Sequence, residues 1–205
     1  GAVDHLYRRL RAHAGAAYLS DGRLLRRPSG DLQYRDSGLL PMNQSPQNIL
    51  FLCTGNSARS VMCEAYVNAR SGGRFRAYSA GSHPKGTVHP LTLETLKRAA
   101  LNVEDFRSKS WDEFAREGAP VMDFVITVCD SAAGELCPVW PGQPITAHWS
   151  FADPAAHEGI EAERIAFFRE IFRQIRARID LFLALPLARH DRLAIKREVD
   201  AIGRT

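Results

Sequence analysis

Residues 51–60 read FLCTGNSARS, a run that joins a thiol to a guanidinium through five small or polar residues. Cys53 is its nucleophile and Arg59 its cation. Between them Thr54, Gly55, Asn56, Ser57 and Ala58 are small enough for the backbone to curl until successive N–H groups aim at one point. An apolar stretch runs directly into Cys53, and Arg59-Ser60 opens a helical pattern. A helix beginning there would add the positive end of its dipole to those amides. The result is a cradle for a tetrahedral oxyanion, with the thiol at its base and the planar Arg59 fork reaching two oxygens. The same amides and dipole are expected to draw the thiol from about 8.5 toward the acid side, giving a ready thiolate. The alternative is a core thiol beside an ordinary first-turn cation. An arginine is poorly placed at a helix N-terminus unless an anion accompanies it.

Three other cysteines, Cys63, Cys129 and Cys137, complete the set. They form no two closely spaced pairs, so structural zinc is a weak reading, and in a reducing compartment reactive thiols are the better one. Cys63 falls inside the first helix and is expected to pack in the core. Asp153 precedes Pro154 in FADPAA, where it can cap the helical turn beyond it. His83 and His148 could touch the site, either in a catalytic role or as part of a polar rim.

The elements that must position these groups follow from periodicity. NILFLC is a short apolar run ending in turn chemistry, as a buried parallel strand does. ARSVMCEAYVNARS reads as a helix stopped by Gly72-Gly73. RFRAYSAG is a second strand, MDFVITVC a third and PITAHW a weaker fourth. HPLTLETLKRAAL is a helix with Leu93, Leu96 and Ala100 as its apolar positions. Between Glu161 and Leu185, Ile165, Phe168, Phe172, Ile175, Ile179 and Phe182 recur at spacings of three and four, one stripe of an amphipathic helix. DRLAIKREVDAIG forms the last helix. Strands alternating with helices predict a three-layer α/β fold, a four-stranded parallel sheet flanked by helices. The strand-end loop at Cys53 then lies where open α/β sheets bind ligands.

Residues 1–45 differ: Gly, Pro, Ser and Asp punctuate them without a sustained period, so they are expected to be an irregular leader, apart from a short helix near Asp4–His13. A domain over residues 46–205 would stand without them. Met42 is a candidate natural start, which would make the preceding residues upstream or vector-derived sequence; mass spectrometry of the natively expressed protein tests this. The 205 residues are 45% hydrophobic and 24% charged, ordinary for a globular chain. No apolar run approaches the length of a membrane helix, and the start lacks a secretory pattern, which predicts a cytoplasmic protein. The net charge is +4, but seven Arg (8, 9, 11, 23, 26, 27, 35) against four Asp (4, 21, 31, 36) put +3 of it in residues 1–41, leaving about +1 for the rest. A nucleic-acid footprint on the domain is therefore not expected.

The pattern Cys53, Gly55, Asn56, Ala58, Arg59, Ser60 resembles the loop of the low-molecular-weight tyrosine phosphatase superfamily, over roughly residues 48–185. The resemblance implies that Ser60 hydrogen-bonds the nucleophile, that Asn56 holds the loop in shape and that Asp153 is the general acid. Three departures separate the chain from the phosphatase branch. Ala58 stands where a second loop cysteine is typical, Val61 replaces a proline, and Ala155 and Ala156 follow Asp-Pro where aromatic residues would stack on phosphotyrosine. The VITVCDSAAGELC segment resembles instead the arsenate reductases built on this fold. That likeness implies arsenate as substrate, with phosphate or sulfate as mimics, and sequential use of Cys53, Cys129 and Cys137. It implies no tightly bound cofactor, reducing equivalents coming from thioredoxin or glutaredoxin with glutathione. In one branch it also implies potassium held by Asn56, Glu64, Ser79 and Asp112. A tyrosine phosphatase and a non-catalytic oxyanion or redox sensor are the alternatives.

Overall fold

The computed structural model describes residues 45–135, 138–187 and 191–205. The leader and Cys137 lie outside the described residues. The chain builds β1 (Gln47–Cys53), α1 (Arg59–Arg70), β2 (Phe75–Gly81), α2 (Pro90–Arg98), α3 (Asp112–Ala115), β3 (Phe124–Thr127), α4 (Asp130–Ala133), β4 (Ile145–His148), a 3₁₀ turn (Pro154–Ala156), α5 (Glu161–Leu183) and α6 (Arg192–Gly203). The four strands form one parallel sheet in the order β2-β1-β3-β4. The expected α/β architecture is therefore the one observed. α3 and α4 are additions to the sequence reading, too short to carry a periodic signal, and the 3₁₀ turn is the helical turn that follows Asp153.

β1 is central, and Ile49, Leu50, Phe51 and Leu52 are all fully buried, which explains why it reads as a continuous apolar run. Strand alternation sends Leu50 and Leu52 to one face, against Trp111, Phe114, Met122, Val125 and Trp140. On the other face Phe51 meets Trp149, and Phe75, Phe124 and Phe182 form an edge-and-tilt cluster at 5.2–6.3 Å. Each such side chain contributes about 1.5–3 kcal/mol by leaving water. α5 supplies Phe168, Phe172, Ile175, Ile179 and Phe182 to the core, while Ile165 near its free end is only half-buried.

The face that α2 buries differs from the expected one. Thr92, Thr95 and Leu96 are buried, whereas Ala100 lies past the helix at φ 56° and exposed. Thr92 is drawn inward because its hydroxyl donates to Ser57 O at 2.9 Å, so this helix is set by a polar contact with the Cys53 loop.

Candidate active site

The strand register brings the chemistry to one sheet edge. Cys53 pairs with Gly81, and Leu52 with Thr127, so Cys129 follows within two residues of that edge. The Val128 N–H donates to Leu52 O at 2.7 Å and fixes the exit of β3 beside the exit of β1.

The loop carbonyls are turned outward and tied down. Cys53 O, Thr54 O, Gly55 O and Ser57 O accept from the N–H groups of Ser82, His83, Lys85 and His89 at 2.9–3.3 Å. Ser108 Oγ donates to Gly55 O as well, at 3.1 Å. With its carbonyls engaged on the outside, the loop is left with amides to spare. Asn56 N–H donates to Cys53 Sγ at 3.2 Å. The N–H groups of Thr54, Gly55, Ser57 and Ala58 find no acceptor among the described residues. Such a set of fixed, uncommitted donors is what an oxyanion site requires.

Asn56 holds the bend. It is fully buried at φ 42°, in the left-handed region that asparagine tolerates better than most residues. Its Nδ2 donates to Ser60 Oγ at 3.0 Å and Ser79 Oγ at 2.9 Å, and its Oδ1 accepts from Lys109 N at 2.8 Å. Gly81 must lack a side chain here, because a Cβ would run into Thr54 O and come within 2.9 Å of Asn56 N.

Cys53 Sγ lies 3.0 Å from Ser60 Oγ, and the residue is 2% exposed. Burial pushes the Cys53 thiol up, with Cys129 adding to the rise; Ser60 and Arg59 pull it down. The net direction is the reverse of the acid shift expected from the sequence. The reason is that desolvation of a thiolate this deep outweighs the donors aimed at it.

Arg59 donates from one terminal nitrogen to Phe151 O at 3.1 Å and pairs with Asp153 Oδ2 at 3.1 Å through the other. Its Nε is buried and has no hydrogen-bond partner among the described residues. Asp153 also caps the 3₁₀ turn, its Oδ1 accepting from Ala155 N at 3.1 Å. The stretch before it is steadied by Arg178, which donates to Ser150 O at 2.6 Å and lies 4.4 Å over the Phe151 ring.

Cys129 is 2% exposed, and its sulfur meets Thr54 Oγ1 at 3.6 Å, so a second thiol lies against the loop. Cys63 is fully buried on α1, as expected of a packing residue, and burial pushes its thiol well up. His148 bonds Thr127 Oγ1 at 2.8 Å and Asp130 Oδ1 at 3.0 Å, while His83 meets Ser82 Oγ at 3.1 Å and Glu135 at 3.9 Å. Both histidines face the Cys129 segment or their own loop.

Of the four potassium candidates, Asn56, Glu64 and Ser79 converge, with Ser79 Oγ donating to Glu64 Oε2 at 2.5 Å. Asp112 does not join them: its carboxylate accepts from Ser110 Oγ at 2.9 Å at the start of α3. Lys109 stands there instead, its ammonium 3.6 Å from Glu64 Oε2. The donor set therefore does not fit potassium, since the carboxylate already has a cation and the Asn56 oxygen a donor. Lys109, Ser108, Arg178 and the 82–89 brace were missed from sequence. The one hint was the polar run Ser108-Lys109-Ser110 just ahead of Trp111; Ser110 forms a bridge to Gly81 that no local pattern announces.

A model of the low molecular weight phosphotyrosine protein phosphatase family matches residues 48–198. The arsenate reductase of Bacillus licheniformis is 37% identical over 138 residues, covering 67% of this chain and 96% of that protein. The arsenate reductase of Bacillus subtilis is 35% identical over 134 residues, covering 65% and 93%. Among solved structures, an arsenate reductase in the phosphate binding state superposes with a TM-score of 0.56 at 24% identity, over 67% of this chain and 97% of that one, a likeness of fold. With its Cys53–Arg59 loop on the matched first strand and helix, the chain belongs to the low-molecular-weight phosphotyrosine protein phosphatase family.

Proposed function

We propose that the protein is a cytoplasmic arsenate reductase in which Cys53, Cys129 and Cys137 act in sequence and thioredoxin, or glutaredoxin with glutathione, resets the cycle. The observation that carries this reading is a buried thiol beneath four amides and an Arg59 Nε that have no partner among the described residues, with a second buried thiol against the same loop. Relatives named arsenate reductases, 35–37% identical over nearly their whole lengths, support the substrate class.

The Cys53 thiolate attacks arsenic, forming a sulfur–arsenic bond, and Asp153 protonates the departing oxygen. Ser60 is within hydrogen-bond reach of that sulfur and Arg59 holds Asp153, so acid and nucleophile share one frame. Cys129 then attacks the Cys53 sulfur. The electron pair of the sulfur–arsenic bond goes to arsenic, which leaves as arsenite, and a Cys53–Cys129 disulfide forms. Two thiols have supplied the two electrons. Cys137 next attacks Cys129, freeing Cys53, and a dithiol partner reduces the Cys129–Cys137 bond.

A tyrosine-type phosphatase is the second reading, favoured by the shared cradle and by Asp153, where water would finish the reaction. Ala155 and Ala156 give an aryl ring little wall to stack on. Single replacements of the three cysteines by serine separate the two. The relay predicts that each replacement abolishes multiple turnover of arsenate with a dithiol donor, and that Cys53→Ser alone abolishes cleavage of para-nitrophenyl phosphate. Arsenate reduction undiminished in Cys129→Ser would overturn it.

A further inference from the structure

The Lys109 ammonium and the Glu64 carboxylate meet at 3.6 Å where both are nearly out of water, at 9% and 13% exposed. From Glu64 an unbroken chain of polar contacts runs to the nucleophile. Glu64 Oε2 accepts from Ser79 Oγ at 2.5 Å, and Ser79 Oγ accepts from Asn56 Nδ2 at 2.9 Å. The same amide donates to Ser60 Oγ at 3.0 Å, and Ser60 Oγ lies 3.0 Å from Cys53 Sγ. Lys109 touches this chain twice, because its backbone N–H also donates to Asn56 Oδ1 at 2.8 Å. Its ammonium has one further acceptor among the described residues, Arg107 O at 3.5 Å.

A carboxylate this deep is costly unless a cation accompanies it. Burial pushes the Glu64 carboxyl up, and Lys109 and Ser79 oppose the rise. A diffusible monovalent ion could serve, but the Lys109 ammonium already stands against Glu64 Oε2, and the neighbouring oxygens already accept: Asn56 Oδ1 from Lys109 N, Ser79 Oγ from Asn56, and Glu64 Oε2 from Ser79.

We propose that Lys109 is a positioning residue whose ammonium is a covalently attached substitute for a monovalent cation, fixing Glu64 and through it Ser79, Asn56 and Ser60 around Cys53, so that the protein works without potassium. The inference shares with the proposed function only the role of Cys53 as nucleophile. Asn56 owes its strained backbone to this frame, and removing the charge that anchors it lets Ser60 and the loop amides drift from the sulfur. Arginine can keep the charge; alanine cannot.

The test uses the full chain and its Lys109→Ala and Lys109→Arg variants, in potassium chloride and in sodium chloride at equal ionic strength. Melting temperature, the rate of Cys53 alkylation by iodoacetamide in a Cys129→Ser background, and kcat and KM for para-nitrophenyl phosphate and arsenate are the readouts. The expected result is an unmodified chain indifferent to the choice of cation. Lys109→Ala should lose at least about tenfold in kcat with a smaller change in KM, since a misplaced nucleophile costs the chemical step. It should also melt higher in potassium than in sodium, because a vacated cation position can be refilled. Lys109→Arg should stay within about threefold of the unmodified chain. Potassium stimulation of the unmodified chain, or Lys109→Ala with unaltered kcat and alkylation rate, would overturn the proposal. If Lys109→Ala does not fold, the salt comparison on the unmodified chain and on Lys109→Arg still decides. Because alkylation and ester cleavage need no arsenate, a failure of the arsenate reading alone leaves them intact.

Discussion

β1 and β3 are neighbours and each delivers a cysteine to the same sheet edge, but the segments that leave the two cysteines are built differently. After Cys53 the loop is tied across the chain at nearly every residue. Segment 82–89 holds its carbonyls, Ser108 and Thr92 add side-chain donors, and Asn56 is gripped at both ends of its amide. After Cys129 comes the four-residue helix α4, whose backbone bonds are its own: Ala133 N–H to Cys129 O and Gly134 N–H to Asp130 O and Ser131 O. Its lateral polar ties among the described residues lie near the surface, Asp130 to His148 and Glu135 to His83, and one apolar side chain, Ala132, is buried beneath it. The Cys129 sulfur itself has a single polar contact among the described residues, the Thr54 hydroxyl. A site that must present fixed charges to a reacting anion gains from being rigid before the anion arrives. Under the proposed relay Cys129 must travel toward one sulfur and then another, and such a thiol gains from a segment that opens locally at little cost. The two cysteines are chemically alike, and their surroundings suit them to different work.

The deepest test of that contrast is to remove each sulfur. Cys53→Ser is expected to lower both arsenate reduction and para-nitrophenyl phosphate cleavage by about four orders of magnitude or more, as deletion of a nucleophile does. Cys129→Ser should abolish repeated arsenate turnover while ester cleavage stays within about threefold, since a water molecule finishes that reaction. Steady-state rates on the two substrates check both, and ester cleavage collapsing in Cys129→Ser would merge the two regions into one.

Next in size is the effect of the proposed general acid. Asp153 stands 3.1 Å from Arg59 while capping its own turn. Asp153→Asn keeps the cap and removes the proton, so ester cleavage should fall by about 10²–10⁴-fold. Activated aryl phosphates with good leaving groups should fall least, and a uniform loss across leaving groups would assign Asp153 to holding Arg59 instead.

The two regions were also unequally legible in the sequence. The loop announced itself because its demands are local: small residues to curl, a nucleophile, a cation, and a strand and helix with clear periods on either side. The four strands and four longer helices stand where periodicity put them. The features that escaped were long-range. Lys109 reaches the loop from 53 residues away in sequence, and the 82–89 brace uses backbone groups, which any side chains could accompany. Thr92 was passed over because a threonine on an amphipathic helix looks like surface until its partner, Ser57 O, is known. The direction of the Cys53 shift failed for a related reason. Donors could be counted from the sequence, but the depth of burial that opposes them could not.

That reversal has a testable sign. A thiol raised by burial is mostly protonated near neutrality, so the thiolate fraction, and with it the rate of Cys53 alkylation by iodoacetamide in a Cys129→Ser background, should increase as pH rises through and beyond the ordinary thiol range. Ser60 is the largest influence pulling the thiol down. Ser60→Ala should therefore displace the whole alkylation profile to higher pH and slow the reaction at neutral pH. A profile that moves to lower pH would mean that Ser60 accepts from the thiol and stabilises its protonated form.

The smallest effect concerns the tether of α4. Asp130 is exposed and its carboxyl is held below the ordinary range by hydrogen bonds from Ser150 and His148. Because the carboxyl is depressed in the folded chain, its contribution to holding α4 is present near neutral pH and is lost as pH falls through the lowered value. Asp130→Ala removes the His148 tie while leaving the Glu135–His83 contact, the loop and both sulfurs untouched. A surface pair contributes little, so melting temperature should hardly change. The rate at which Cys129 is trapped by an external disulfide should rise a few-fold, because the segment opens more often, while alkylation of Cys53 stays as it was. If Asp130→Ala instead slowed trapping of Cys129, the His148–Asp130 pair would be presenting the second thiol rather than restraining it, and the segment would belong with the rigid loop after all.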